Sequence, residues 1–501
     1  MTEQQLGTVP DRQLAALDLG SNSFHLIVVH EHNGHVRVVD KYKEMVRLAD
    51  GLADDGDLNP EVEQRALDCL ERLGERLRPL EHENVRVVGT NALRQAKNAQ
   101  AFIKAAEARL GHELEIISGR EEARLIYLGV SHNLEDSHDR RLVVDIGGGS
   151  TELIVGRHFE ALEMESLHMG CVSMSAQWIP QGALKGSAFD KAVNAARLEL
   201  EPVVRQFDRS QWETAVGASG TIVAIQQITN ASSDRQGIIT RDGLNELCEQ
   251  LKSVKHIMEL DLPHLAGERR PVFAGGVAIL KAIFDELDVE EMHTSGGALR
   301  EGLIQDLLGR VHRHDIREAT VTDLKVRYHI NERHSDRVRE LAIALHAQVA
   351  SAWSLTDAEQ LMLLRWGADL HEIGMDISHS QYHKHGSYLL EHMDMPGFSL
   401  LDQKRLALLV RAHRRKVPLD LFEGSDSAWL RLAVLLRISV VLRRARTSQH
   451  LPHIELQADG DKLTLRVPKS WLDKHPLTRL DLAQEHQYLQ VIPFALEVEE
   501  I

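Results

Sequence analysis

Two stretches of this chain place an aspartate ahead of a turn rich in glycine and hydroxyl groups. One is Asp18-Leu19-Gly20-Ser21-Asn22-Ser23 and the other Asp145-Ile146-Gly147-Gly148-Gly149-Ser150-Thr151. Turns of this kind expose several backbone N–H groups with little side chain in the way, a nest that suits phosphate oxygens, and the hydroxyls and Asn22 add donors. A single Gly/Ser turn mostly just joins two strands. Two in matching surroundings describe a phosphate chain held from both sides of a cleft. Asp18 and Asp145 would then hold Mg²⁺, which takes one or two carboxylates together with phosphate oxygens. Glu152 shares a face with Ser150 if a strand begins there, as a further ligand or as a solvent-facing residue.

Other residues have chemistry with a plainer reading beside it. Ser118-x-x-Glu121 is a capping-box spacing, so spacing alone makes Glu121 a helix cap. Glu122 lies about 100° further round that helix, toward solvent or a salt bridge. Arg94 could clasp a phosphate through its guanidinium fork or pair with one of the many carboxylates. Residues 401–450 carry 11 Lys and Arg against 4 Asp and Glu, a local balance of 11 − 4 = +7. Arg411, Arg414, Arg415 and Lys416 form the densest run there, followed by Arg443, Arg444 and Arg446, with His383 and His385 nearby. Such runs are ordinarily solvated helix faces.

The elements that must position these groups are legible in the hydrophobic pattern. Residues 14–29 and 141–156 each read as strand, turn, strand, so the first 300 residues form two related α/β halves. Between them, residues 59–77 have helical periodicity with Pro60 in the first turn, residues 84–90 read as a buried strand and residues 99–110 as a helix. Residues 212–221 and 291–304 repeat the passage from strand through a Gly/Ser turn into a helix. From residue 310 to about 446 the pattern is helical and histidine-rich, with 15 of the 28 histidines beyond residue 310. Residues 453–468 alternate around Asp459-Gly460-Asp461 as a β-hairpin.

Composition narrows the functions. The 501 residues carry a formal charge of −17, which argues against general binding to DNA or anionic membrane, and 4% aromatics leave no stacking surface for single strands. No apolar run reaches membrane-spanning length, and the N-terminal residues do not form a secretory signal. Three widely spaced cysteines exclude a disulfide scaffold. The expectation is a cytoplasmic, multidomain protein, with a peripheral place at the membrane as the alternative.

At the two turns the chain resembles the exopolyphosphatase / guanosine pentaphosphate phosphohydrolase family. The segments that carry the resemblance are DLGSNSFHL (18–26), RLADGL (47–52), ALRQAKNA (92–99), ISGREEARLIYLGV (117–130), VVDIGGGSTEL (143–153), MGCVS (169–173), GASGT (217–221), SGGALREGL (295–303) and HEIG (371–374). It implies an α/β protein of two actin-like (ribonuclease-H-like) lobes flanking a cleft, then an all-α degenerate HD-like domain and a small C-terminal β-hairpin-containing domain. The boundaries would be 1–126, 127–309, 310–448 and 449–501. It also implies that Glu121 orients the attacking water, that Arg94 neutralises the terminal phosphate, and that Gly20, Ser21, Asn22, Ser23, Gly147, Gly148, Gly149 and Ser150 bind phosphate. Asp145, Glu152 and Asp18 would hold Mg²⁺, with a monovalent cation as a further cofactor.

In the same resemblance His383, His385, Arg411, Arg414, Arg415 and Lys416 would line a basic polyphosphate channel, and the enzyme would be a homodimer without membrane segments. His371-Glu372, with His334 and His413, replaces the His-Asp metal set of HD domains, so the helical domain is expected to guide substrate rather than bind metal. Gly149 favours exopolyphosphatase, because guanosine pentaphosphatases of the family more often carry alanine there. The expected activity is processive release of orthophosphate from inorganic polyphosphate. The alternatives are a guanosine pentaphosphate 5′-phosphohydrolase, a non-catalytic sensor of polyphosphate or alarmone, and a kinase on the same fold.

Overall fold

The computed structural model describes residues 12–32, 35–52, 56–134, 139–230, 237–262, 265–312, 314–423, 426–447, 450–492 and 494–501. The chain forms two compact units, Met1–Asp315 and Ile316–Ile501.

The first unit begins with β1 (Arg12–Leu19), β2 (Phe24–His32) and β3 (His35–Glu44), followed by α1 (Pro60–Leu77), β4 (Val85–Gly89), α2 (Asn91–Gln95), α3 (Ala99–Leu110), β5 (Leu114–Ile116) and α4 (Gly119–Asn133). The second half runs β6 (Arg140–Ile146), β7 (Thr151–Arg157), β8 (Glu160–Leu167), α5 (Cys171–Trp178), α6 (Ala188–Leu200), β9 (Thr214–Gly217), α7 (Gly220–Thr229), β10 (Ile238–Thr240), α8 (Arg241–Ser253), α9 (Arg270–Glu286), β11 (Glu291–Thr294) and α10 (Leu299–Val311). The strand orders are β3-β2-β1-β4-β5 and β10-β11-β9-β6-β7-β8. Each half is an antiparallel three-stranded meander extended by two parallel strands, with β10 added antiparallel at the edge of the second, and in each the register shifts after the fifth residue of the second strand, at Val28/Val29 and at Val155/Gly156. These are the two actin-like lobes.

Strand alternation explains how the lobes meet. Ala15, Leu17 and Leu19 of β1 face a core with α1 and α3, whereas Leu14 and Ala16 face the other way. Both faces of the strand are buried, so it reads as an unbroken apolar run. Leu14 and Ala16 join Val143 of β6, Ile154 of β7 and side chains of α4 and α10 in one shared core between the sheets. The two helices cross closely: a Cβ on Gly302 would lie 1.8 Å from the Leu125 carbonyl oxygen, and one on Gly129 would lie 2.0 Å from that of Ala298. Asp18 has the parity of Leu14 and Ala16, and Asp145 and Glu152 have that of Val143 and Ile154. All three carboxylates therefore point to the inter-lobe side.

The second unit contains α11 (Ile316–Arg327), α12 (Glu332–Trp353), α13 (Ala358–Leu370), α14 (Tyr382–His392), α15 (Leu400–Ala412), α16 (Ser427–Arg443), β12 (Glu455–Asp459), β13 (Lys462–Val467), α17 (Lys469–Leu472), α18 (Pro476–Leu489) and β14 (Ala495–Glu500). β12 and β13 form the expected hairpin, closed by Gly460 at φ 56, and β14 adds a parallel edge. Helices and sheet share one core, in which Leu456, Leu463 and Leu465 join Leu345 and Leu432. Of the boundaries drawn from sequence, 126/127 falls inside α4 and 309/310 inside α10, while 448/449 lies outside the described residues. Among the described residues no helix is long and apolar enough to cross a membrane, and Cys69, Cys171 and Cys248 are free and buried.

Candidate active site

A cleft of about 390 Å³ opens between the lobes of the first unit. Both glycine turns line it with Asp18, Gly20, Ser21, Asn22, Ser23, Asp145, Gly147, Gly148, Gly149 and Ser150. The turns nearly touch: a Cβ on Gly148 would lie 3.1 Å from Ser21 Cβ, and one on Gly149 would lie 2.5 Å from Asn91 Oδ1. The second turn is also fixed from below, where Cys171 and Val172 donate their N–H groups to the carbonyls of Gly147 and Gly148 at 2.9 Å. A methyl group at position 149 would therefore meet Asn91 of the other lobe. The absence of a side chain at position 149 thus serves the contact between the lobes.

The carboxylates repel one another. Burial, then the charge of Glu122, push Asp18 up to about 8 against the pull of Arg300, and Asp18 Oδ1 is buried with no hydrogen-bond partner. Burial and the charges of Glu122 and Asp18 raise Asp145 well above the usual carboxylate range. Glu152, register partner of Asp145, sits behind it with Ser166 Oγ donating at 2.9 Å, and burial followed by Glu122 and Asp145 raises it too. An orphaned oxygen among mutually repelling carboxylates beside two phosphate nests fits a hard divalent cation.

The structure corrects the expectation for Glu121. Its backbone N–H is capped by Ser118 Oγ at 3.1 Å, while its carboxylate takes two 2.8 Å hydrogen bonds from Arg124. Arg124 and Arg86 both reach Asp306, in a buried ion network none of whose members lines the cleft. Glu122 lines the cleft instead. One residue turns the helix by about 100°, and Arg124 stands at i+3 from Glu121, whereas Glu122 has only Leu125 and Ile126 at i+3 and i+4. That pairing was the sequence signal that separates the two glutamates. Arg94 is also placed differently: it is outside the cleft lining, donating to Glu122 Oε2 at 2.8 Å and to the Ile117 carbonyl at 2.9 Å. There it holds the Glu122 carboxylate.

Among the described residues the Lys and Arg side chains lining the cleft are Lys43, Arg269 and Arg300. Arg300 lies within one of the motif segments, but nothing in the sequence singled out the other two. Arg300 Nη1 donates to His25 Nδ1 at 3.1 Å, and His25 Nε2 is 2.7 Å from Ser23 Oγ. Burial, then Arg300, Lys43 and Arg269, lower His25 to about 3, so the ring is neutral, accepts from Arg300 and donates to Ser23. The Ser23 hydroxyl proton is left for the cleft. Ser219 and Gly220, at the start of α7, complete the far wall.

The residues expected of a polyphosphate channel belong to the second unit. His383 is buried and has Arg411, Arg414 and Arg415 in its field, Arg414 stacks 4.4 Å over the Tyr382 ring, Arg415 and Lys416 are exposed, and His385 is half-buried. Burial, then these arginines, lower His383 to about 4, so it brings no positive charge to such a channel. His334, His371 and Glu372 place ligand atoms within 4.8 Å of one another, and the Arg446 guanidinium donates to Glu372.

The chain matches the Ppx/GppA phosphatase family over residues 27–311 and Ppx/GppA phosphatase domain III over residues 316–486. It is 42% identical over 475 residues, 94% of this chain and 95% of the relative, to a guanosine-5′-triphosphate,3′-diphosphate pyrophosphatase of Aeromonas hydrophila. It is 41% identical over 487 residues, 97% and 98% of the two chains, to a protein of the same name from Vibrio cholerae. An exopolyphosphatase structure from Cytophaga hutchinsonii aligns with TM-score 0.54 at 23% identity, covering 59% of this chain and 98% of that one. A Ppx/GppA family structure from Aquifex aeolicus gives 0.51 at 23%, covering 60% and 99%. At that identity the two structures share the fold.

Proposed function

The chain belongs to the Ppx/GppA phosphatase family and is a hydrolase of phosphoric anhydrides, and from that premise we propose that its substrate is guanosine 5′-triphosphate 3′-diphosphate (pppGpp), hydrolysed to guanosine tetraphosphate (ppGpp) and orthophosphate. The observation that carries this is the near-full-length likeness to guanosine-5′-triphosphate,3′-diphosphate pyrophosphatases. The case for inorganic polyphosphate drew on Gly149, whose Cβ position faces Asn91, and on the basic run of the second unit. The exposed Arg415 and Lys416 keep polyphosphate as the second reading.

In this reading the two glycine turns grip the 5′-phosphates through backbone N–H groups and the hydroxyls of Ser21, Ser23 and Ser150. Lys43, Arg269 and Arg300 offset charge on the phosphate oxygens. Glu122, held by Arg94, aligns a water with the terminal phosphorus and takes its proton; the new P–O bond forms as the bond to the bridging oxygen breaks, and the pair of electrons leaves with the nucleoside diphosphate end. Asp18 and Asp145, backed by Glu152, would hold Mg²⁺, which supplies further neutralisation of the phosphates. The test is orthophosphate release from pppGpp and from long-chain polyphosphate by the same preparation. A higher kcat/KM for pppGpp supports the reading. Release from polyphosphate alone replaces it with exopolyphosphatase, and binding without release from either makes the protein a sensor.

A further inference from the structure

The RLADGL segment takes no part in the cleft chemistry, yet it shapes a second hollow beside it. Arg47, Asp50, Glu61, Arg65 and Glu268 supply the charges of that hollow. Its wall continues the wall of the cleft: Lys43 lines the cleft and Arg47 the hollow, four residues on, while Arg269 lines the cleft and Glu268, its neighbour, the hollow. The segment is also tied to the first phosphate turn. Arg47 N–H donates to the Asn22 carbonyl at 2.8 Å, and Ala49 N–H donates to that of Ser21 at 2.9 Å. Those bonds hold Arg47 at φ 53, ψ 55, a left-handed conformation that is costly for a residue with a Cβ and that concentrates at functional sites.

Among the described residues neither Arg47 nor Arg65 has an ion-pair partner, although three carboxylates share the hollow; Arg65 only donates Nε to the Val46 carbonyl at 2.8 Å. Two guanidiniums without a carboxylate partner in the same hollow leave their N–H donors for a ligand. The ligand has to satisfy both signs. A guanidinium fork suits a diphosphate, and a carboxylate suits a group with adjacent N–H donors, such as the amide and amino edge of guanine. A plain phosphate polymer brings no donor and would meet three carboxylates.

We infer that this hollow receives the nucleoside end of the substrate, with Arg47 and Arg65 on its 3′-diphosphate and the carboxylates on the guanine edge. The inference deepens the pppGpp reading and rests on it. It makes Arg47 and Arg65 the residues that separate a nucleotide carrying a 3′-diphosphate from other chains of phosphates.

The experiment titrates ppGpp into the full-length protein by calorimetry, for wild type, Arg47→Gln, Arg65→Gln and the two lysine variants. In parallel it measures kcat/KM for pppGpp, GTP and tripolyphosphate. Each glutamine variant is expected to weaken ppGpp binding about tenfold or more, lysine to restore part of it, and the kcat/KM ratio of pppGpp to GTP or to tripolyphosphate to fall by a similar factor through KM. Unchanged ppGpp binding in the variants, no ppGpp binding by the wild type, or an equal loss on all three substrates would overturn it. If the wild type releases nothing from pppGpp while ppGpp binding still needs both arginines, the proposed activity fails and this site stands.

Discussion

Arg94 and Glu122 form an ion pair at 2.8 Å, and the same Arg94 nitrogen donates to the Ile117 carbonyl at 2.9 Å. The guanidinium is thereby fixed to the backbone just before α4, and it fixes the carboxylate that faces the cleft. Arg94→Gln is expected to leave the fold in place and to lower kcat about tenfold to 10²-fold, less than loss of the carboxylate itself, with a smaller change in KM. Steady-state kinetics on pppGpp check this. A change confined to KM would return Arg94 to direct phosphate binding.

Gly149→Ala tests whether that glycine selects substrate. Its Cβ would press on Asn91 Oδ1, the end of a short buried side chain. Turnover of pppGpp and polyphosphate should therefore fall together, and the ratio of their kcat/KM values should stay within about twofold. A ratio that swings toward the nucleotide would restore the polymer argument.

The cleft carboxylates predict how Mg²⁺ and pH act together. Burial and mutual repulsion raise Asp18 to about 8 and raise Asp145 and Glu152 well above the usual range. The folded protein then keeps protons that the unfolded chain releases from about pH 4 upward, so these groups destabilise the metal-free fold as pH rises toward 8. A divalent cation needs the ionised forms. The rise in unfolding temperature on adding Mg²⁺ is therefore expected to be larger near about pH 8.5 than near about pH 6. An equal rise at both, or none at the higher pH, would remove the metal from these residues.

Most of the architecture was readable because the signals were local. Asn59 caps α1, with its side chain accepting from Glu61 N–H, and Pro60 occupies the first turn; α3 ends where Gly111 takes φ 77; the Gly460 turn closes the hairpin between β12 and β13. The duplicated aspartate turns also fixed where the cleft had to be. What the sequence left open depended on direction or distance. Which of Glu121 and Glu122 faces the phosphates is a matter of helix rotation, settled by the buried Arg86–Asp306–Arg124 network, whose members lie up to 220 residues apart. Lys43 and Arg269 reach the cleft from elements with no phosphate signature of their own, and the histidine-rich run hid that burial leaves His383 uncharged.

Glu122 is the residue on which the proposed hydrolysis depends most. Orthophosphate release from pppGpp in the presence of Mg²⁺, compared among wild type, Glu122→Gln and Glu121→Gln with thermal unfolding of each, tests it most directly. Glu122→Gln should lower kcat about 10²-fold or more while unfolding close to wild type. Glu121→Gln should keep kcat within about threefold but unfold at lower temperature, because Arg124 loses its two-point partner in the buried network. Full turnover in Glu122→Gln, or a collapse of kcat confined to Glu121→Gln, would contradict the assignment.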